Sequence, residues 1–182
     1  MNPVFYNVFS FLLSLVGFFF LARFILQVCR ADFYNPMSQG IIQITDPILK
    51  PLRKIIPGFK NLDFSAFAVC WMSQSALVYV EGHPLYAASA IRIGAFGLLK
   101  TLLLFVTIYW GAIIIMIIAS FVAQGSRHPF LALINQVVDP VLSPARRILP
   151  PMGGLDFSPI LVFLGIIVLQ SLLPQIFHAL FL

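Results

Sequence analysis

The chain has 182 residues, of which 60% are hydrophobic and only 9% are charged, and its formal net charge at pH 7 is +5. A soluble domain carries about 25% charged residues, so this composition excludes an ordinary soluble globular protein and indicates a chain that folds in a bilayer. The two cysteines, Cys29 and Cys70, have no metal-binding spacing, and we predict that both are free apolar side chains at helix interfaces.

Four apolar stretches approach or exceed the roughly 20 residues that a helix needs to cross a bilayer. They are residues 5–28, 64–80, 94–122 and 157–180. The second is short, and the third is long enough that Gly94 and Gly97 are potential helix breaks. The first stretch has no basic residue before it and no small-residue cleavage site after it. We therefore expect it to be a retained span rather than a cleaved signal peptide.

One segment occurs twice, 93 residues apart: residues 36–65 match residues 129–158 at 14 of 30 positions without a gap. This offset maps the first span onto the third and the second span onto the fourth. We therefore predict an all-α polytopic membrane protein with four transmembrane helices in two parallel repeats, residues 1–90 and residues 91–182. Each repeat contains a span, short cytoplasmic interfacial or re-entrant helices, and a second span.

Each repeated segment has the pattern of a short, basic, amphipathic helix. In the first copy this helix is predicted to begin at Asp46 and Pro47 and to end at Pro57. A helical wheel places apolar residues on one face and cations on the other, which is typical of a helix in the membrane interface. Apolar spacing predicts a separate short helix before it, starting at Pro36 or Pro129. Whether these helices lie on the surface or re-enter the membrane remains open.

The basic faces of these helices are the predicted sites for anionic lipid headgroups or for other membrane proteins. The residues concerned are Lys50, Arg53, Lys54, Arg146 and Arg147. No feature indicates nucleic acid directly, and a homo-oligomer is an open alternative.

A second set of charged residues is predicted to form structural ion pairs. These residues are Arg23, Asp46, Asp63, Asp139 and Asp156. Asp63 and Asp156 precede the second and fourth spans, and Ser65 and Ser158 are expected to cap those helices in their place. Arg23 shares a face with Gln27 and Arg30 and either snorkels to the interface or pairs with Asp46 or Asp63. A headgroup or ion site built from aspartate and arginine is the alternative.

The distribution of basic residues predicts the topology. The two long loops, residues 29–63 and 123–156, carry eight Lys and Arg, whereas the opposite side has Arg92 and at most Lys100. The positive-inside rule then places both basic segments in the cytoplasm and both termini in the periplasm.

No catalytic constellation is recognisable. The three histidines are scattered, and there is no catalytic triad, phosphate-binding glycine loop or carboxylate dyad. We predict a protein that is not an enzyme and has no cofactor or metal. The last span carries a polar stripe that is typical of helix–helix contacts, with a water-filled path as the alternative. The stripe comprises Gln170, Ser171, Pro174, Gln175 and His178.

Three strings resemble the YggT family, also called YlmG, of small integral membrane proteins in bacteria and plastids. They are Cys29-Arg-Ala-Asp-Phe-Tyr-Asn-Pro36, Asp46-Pro-Ile-Leu-Lys-Pro-Leu-Arg-Lys-Ile-Ile-Pro57 and Asp139-Pro-Val-Leu-Ser-Pro-Ala-Arg-Arg-Ile-Leu-Pro-Pro-Met-Gly-Gly-Leu-Asp-Phe-Ser-Pro159. The resemblance covers essentially the whole chain, in the double-repeat form of proteobacteria. It implies links to osmotic tolerance, cell division and nucleoid distribution, or assembly of membrane cofactor proteins in plastids. It carries over no catalytic site.

Two functional hypotheses follow. The leading one is a non-enzymatic bacterial inner-membrane protein that organises or assists other membrane components through its two basic segments. The alternative is a small channel or transporter subunit for osmotic ion homeostasis. A role as an assembly factor for a haem protein gains no support from the scattered histidines.

Overall fold

The computed structural model describes residues 3–56, 58, 62–82, 86, 89–122, 128–150 and 156–182. Within these residues the fold is all-helical, with six α-helices in chain order. They are α1 (Pro3–Val28), α2 (Pro36–Leu52), α3 (Phe64–Glu81), α4 (Ala90–Val122), α5 (Pro129–Ile148) and α6 (Ser158–Phe181). The predicted all-α class is thereby confirmed. α4 runs unbroken through Gly94 and Gly97, so neither glycine interrupts it.

Three helices are long and apolar enough to cross a membrane by length and composition, namely α1, α4 and α6. α3, the predicted second span, is not among the spans found in the described part of the chain. It contains Gln74 and several serines, and it ends at Glu81. The structure therefore supports a membrane protein with three apolar helices.

The long helices pack side by side in the order α1, α3, α4 and α6. α3 is pressed closely against α4, because a Cβ atom on Gly97 would lie 2.7 Å from the Cα atom of Ser75. No real side chain tolerates that approach without moving the backbone, so glycine is required here. The main apolar core lies toward the α2 and α5 end of these helices and includes Leu21, Ile113 and Leu142.

α2 and α5 are the two amphipathic helices, and each packs against the long helices of its own half. Proline occupies the first turn of both, as predicted for Pro36 and Pro129. The residue before each proline caps the helix: Asn35 Oδ1 accepts from the Met37 N–H at 2.9 Å, and His128 Nδ1 accepts from the Phe130 N–H at 3.2 Å.

The prediction of two short helices in each loop is wrong. α2 passes through Asp46 and Pro47 without a break, and α5 passes through the corresponding Pro140. Each proline removes one backbone hydrogen bond, but buried residues on both sides, such as Thr45 and Leu49, hold the helix in one piece. α2 ends at Leu52, and the predicted end at Pro57 lies outside the described residues.

The prediction that serines cap the next helices is also wrong. Asp63 is the N-cap of α3, and its Oδ1 atom accepts from the Ala66 N–H at 3.3 Å. Ser65 lies inside α3 and donates its hydroxyl to the Ile56 carbonyl at 2.7 Å. Ser158 is the first residue of α6 and donates from both its N–H and its hydroxyl to Asp156. In both cases the aspartate, not the serine, accepts the free donors.

The turn between α1 and α2 joins the two halves of the chain. The Asp32 N–H donates to Gln136 Oε1 at 2.8 Å, and the Asn35 amide donates to the Pro129 carbonyl at 2.7 Å. Cys29 Sγ lies 3.3 Å from the hydroxyl of Tyr109. Contacts with α4 and α5 therefore fix the position of the start of α2.

Candidate functional site

The end of α2 is tied to the start of α3 by an arginine–aspartate pair. Arg53 Nε and Nη2 both donate to Asp63 Oδ2, at 3.1 and 2.5 Å. Only 2% of Asp63 is exposed, whereas the Arg53 side chain is partly open to solvent. The second carboxylate oxygen of Asp63 caps α3, so a single buried carboxylate joins the two helices.

Asp46, in the middle of α2, lies between two cations. Lys50, one turn later, approaches it to 3.2 Å, and Arg23 of α1 approaches it to 3.7 Å. Arg23 is only 7% exposed, and its guanidinium carbon stacks 5.2 Å from the centre of the Phe33 ring. The position of Arg23 beside Asp46 is one of the two partnerships expected from the sequence.

Arg23 also lines an open cavity of about 470 Å³ between α1 and the end of α2. The lining residues are Arg23, Gln27, Arg30, Ala31, Phe33 and Arg53. Arg30 is absent from the predicted site residues, although its spacing after Arg23 and Gln27 already placed the three on one helix face. Three arginines thus meet at one cavity, and two of them, Arg23 and Arg53, also lie beside aspartates.

In the second half a single arginine, Arg146, pairs with two aspartates. Arg146 Nε donates to Asp156 Oδ2 at 2.9 Å, and its Nη1 donates to Asp139 Oδ1 at 2.8 Å. The hydrogen bond to Asp156 is the main cause that raises the pKa of Arg146. Burial opposes ionisation of Asp156, but hydrogen bonds from Ser158 and Arg146 outweigh it and lower its pKa.

The remaining predicted binding cations lie on the surface. The Lys50 side chain is 73% exposed, and Lys54 and Arg147 are also exposed. Lys60 and Arg127, which contribute to the predicted charge asymmetry, lie outside the described residues. In the described ranges no three His, Cys, Asp or Glu residues are grouped closely enough to hold a metal ion. The site is therefore a set of arginine–carboxylate pairs beside exposed cations, with the chemistry of anion binding.

Three apolar helices and two basic amphipathic helices define a class of small α-helical membrane proteins. The CCB3/YggT family model matches residues 2–81 and 95–177 of the chain. The chain therefore belongs to the CCB3/YggT family, which confirms the resemblance seen in the sequence.

Similar proteins cover most of this chain. An uncharacterized protein of Pseudomonas aeruginosa is 39% identical over 155 residues, covering 84% of this chain and 79% of its own length. The uncharacterized protein YggT of Escherichia coli strain K12 is 36% identical over 178 residues, covering 95% and 93%. A Vibrio alginolyticus protein is 38% identical over 152 residues, covering 79% of each chain. No solved structure matches the chain.

Proposed function

We propose that this chain is a non-enzymatic integral protein of the bacterial inner membrane that organises or assists other membrane components. In this proposal α2 and α5 lie in the cytoplasmic interface and bind anionic lipid headgroups. Osmotic tolerance, cell division and membrane-protein assembly are the processes that the family resemblance suggests. In this proposal α3 spans the membrane together with α1, α4 and α6, the chain comprises two parallel repeats, and both termini are periplasmic.

The observation that carries this proposal is the surface of α2, of the turn that follows it and of α5. Exposed isoleucines lie next to exposed cations: Ile48 beside Lys50, Ile55 beside Lys54, and Ile148, which is 77% exposed, beside Arg147. Apolar side chains in the acyl region and cations among the headgroups are the two requirements of an interfacial helix. Each cation near an anionic surface contributes about 1 kcal/mol of binding free energy.

The packing of α3 supports its assignment as a span. In the middle of α3, Ser73 and Gln74 are buried against neighbouring helices, and the Ser73 hydroxyl donates to the Cys70 carbonyl at 2.7 Å, while the charged Glu81 lies at the end of the helix. Its exposed side chains include Trp71, Met72 and Tyr79. A helix that turns its polar groups inward and its apolar groups outward is suited to lipid surroundings.

A lipid-retention experiment tests the proposal. The double variant Lys54→Gln/Arg147→Gln should retain several-fold less phosphatidylglycerol than the unmodified chain in native mass spectrometry from mixed micelles, with phosphatidylcholine retention unchanged. The matched control Arg92→Gln/Lys100→Gln removes the same charge from the end that the proposal places in the periplasm, and it should retain lipid normally. Equal phosphatidylglycerol retention by both double variants would contradict the proposal.

A second candidate is the small channel or transporter subunit, favoured by the polar stripe on α6. Gln170, Ser171, Gln175 and His178 are all exposed on the single chain. Polar side chains facing lipid are unfavourable, so a second copy of this chain or a water-filled path would have to cover them. Potassium or chloride flux through reconstituted protein, lost in Gln170→Leu/Gln175→Leu, would support this candidate. Sealed vesicles with unmodified protein would exclude it for those ions.

A further inference from the structure

We propose that the cavity lined by Arg23, Arg30 and Arg53 is a binding site for a phosphate-type oxyanion. The bound group is either the headgroup of an anionic phospholipid or free inorganic phosphate. This inference goes beyond the proposed function, because the cavity is separate from the exposed cations Lys54 and Arg147.

The first observation is the state of Arg23. This residue is only 7% exposed, and among the described residues its Nε and Nη1 atoms are buried without a hydrogen-bond partner. Its remaining nitrogen, Nη2, lies 3.7 Å from Asp46, which is too far for a hydrogen bond. A buried guanidinium with unsatisfied N–H groups is costly, and a small shift of Arg23 that opened these groups to the adjoining cavity would let an oxyanion satisfy them. Phe33 stacks on the guanidinium and holds it in the cavity wall.

The second observation is the backbone of Arg30. Its φ of 51° is in the left-handed region, and it is the sole residue other than glycine with positive φ in the described part of the chain. Arg30 follows the end of α1 in a Schellman motif: its N–H donates to the Gln27 carbonyl at 3.2 Å, and the Ala31 N–H donates to Leu26 at 2.9 Å. Glycine is the usual residue at this position. An arginine here carries a backbone penalty and adds a cation to the cavity lining.

The third observation is the charge balance and the position. From residue 23 to residue 63 the chain has six basic and three acidic residues. Of these acids, Asp63 is held by Arg53 and Asp46 lies between Arg23 and Lys50. Arginine is suited to phosphate because its planar group donates several N–H bonds in a fixed geometry. Three such groups at the basic end of α1 match a tetrahedral oxyanion with several acceptor oxygens.

The decisive variant is Arg30→Gly. Glycine adopts the left-handed backbone without strain, so the fold should stay intact, while the cavity loses one of its three cations. Arg23→Met, which introduces the residue found 93 positions later at Met116, removes the buried cation. Lys54→Gln is the control for phosphate binding, because Lys54 is adjacent to Arg53 in sequence but does not line the cavity.

The experiment uses the full chain in a non-ionic detergent. One arm titrates inorganic phosphate against chloride at equal ionic strength, and the other measures retention of phosphatidylglycerol against phosphatidylcholine by native mass spectrometry. We expect binding in at least one arm, weakened about tenfold or more by Arg30→Gly and by Arg23→Met, and we expect phosphate binding to be unchanged by Lys54→Gln. Binding of the lipid alone identifies a headgroup site, and binding of inorganic phosphate identifies a soluble-anion site.

Two results would overturn the inference. One is that the unmodified chain binds neither probe, and the other is that Arg30→Gly, with its fold intact, binds both probes normally. If Arg23→Met does not fold, Arg30→Gly alone decides. Loss of lipid in Arg30→Gly but not in Lys54→Gln/Arg147→Gln would contradict the proposed function and leave the cavity site standing.

Discussion

The two repeated segments, residues 36–65 and 129–158, place the same aspartates and arginines at the same offsets, yet they connect them differently. In the first segment Arg53 binds Asp63 alone, and Asp46 is left to Arg23 and Lys50. In the second segment Arg146 binds both Asp139 and Asp156. Arg146 therefore pairs with both aspartates of the second segment, whereas the aspartates of the first segment pair with three different cations.

The difference has a cause in the sequence. Arg23 and Lys50 correspond at the 93-residue offset to Met116 and Ser143, which carry no charge. Within the described residues Asp139 therefore has Arg146 as its cationic partner, and the guanidinium of Arg146 contacts both Asp139 and Asp156. The first half thus keeps Arg23 and Arg53 at the cavity, whereas the second half uses its arginine as a structural bridge. The comparison teaches that a repeated motif can retain its aspartates and arginines and still pair them differently in its two copies.

The largest expected effect is on the buried carboxylate of the first half. Asp63→Ala removes the partner of Arg53 and the cap of α3 together, and we expect the free energy of unfolding to fall by about 3 kcal/mol. Asp156→Ala, its matched counterpart, should lower it by about 1 kcal/mol, because that side chain is 30% exposed. Thermal unfolding in detergent measures both. Equal losses would show that burial does not distinguish the two halves.

A smaller effect is expected from replacing each arginine by lysine. In Arg146→Lys a single ammonium replaces the two guanidinium nitrogens that contact Asp156 and Asp139. One of the two aspartates therefore loses its hydrogen bond, and the free energy of unfolding should fall by about 1 kcal/mol. Arg53→Lys keeps its single carboxylate partner and should lower the free energy of unfolding by less. The same unfolding measurement compares the two variants. A greater loss in Arg53→Lys would refute the bridging role of Arg146.

The sequence predicted helix starts well where the local chemistry is decisive. Pro36 and Pro129 lack the N–H that a first helical residue leaves unused, so both were placed correctly. Pro47 was misread as a helix start, because its local signal is identical. Only the burial of Thr45 and Leu49 against other helices keeps α2 continuous there, and that burial is a tertiary effect.

The ion pairs of the site were largely predictable, whereas the backbone of Arg30 was not. Asp63 and Asp156 were predicted to form ion pairs, and the structure gives them Arg53 and Arg146 as partners. Arg146 also reaches Asp139, which lies seven residues earlier in α5 and therefore on the same helix face, so the helical period already indicated this contact. The left-handed backbone of Arg30 was hidden, because its residue type argues for an ordinary conformation.

The smallest expected effect is a pH dependence of the Arg146–Asp156 pair in the second half. Hydrogen bonds from Ser158 and Arg146 lower the pKa of Asp156 below its ordinary value of 3.8, so the ionised form is favoured in the folded state. Its contribution to stability is present above pH 3.8 and is lost as the pH falls through the lower pKa of the folded chain. The melting temperature should therefore decline less steeply in Asp156→Asn than in the unmodified chain when the pH is lowered from 5 to about 2.5. Parallel curves for the two proteins would show that the bridge contributes nothing measurable, since a carboxylate that stabilises the fold through its charge must lose that contribution on protonation.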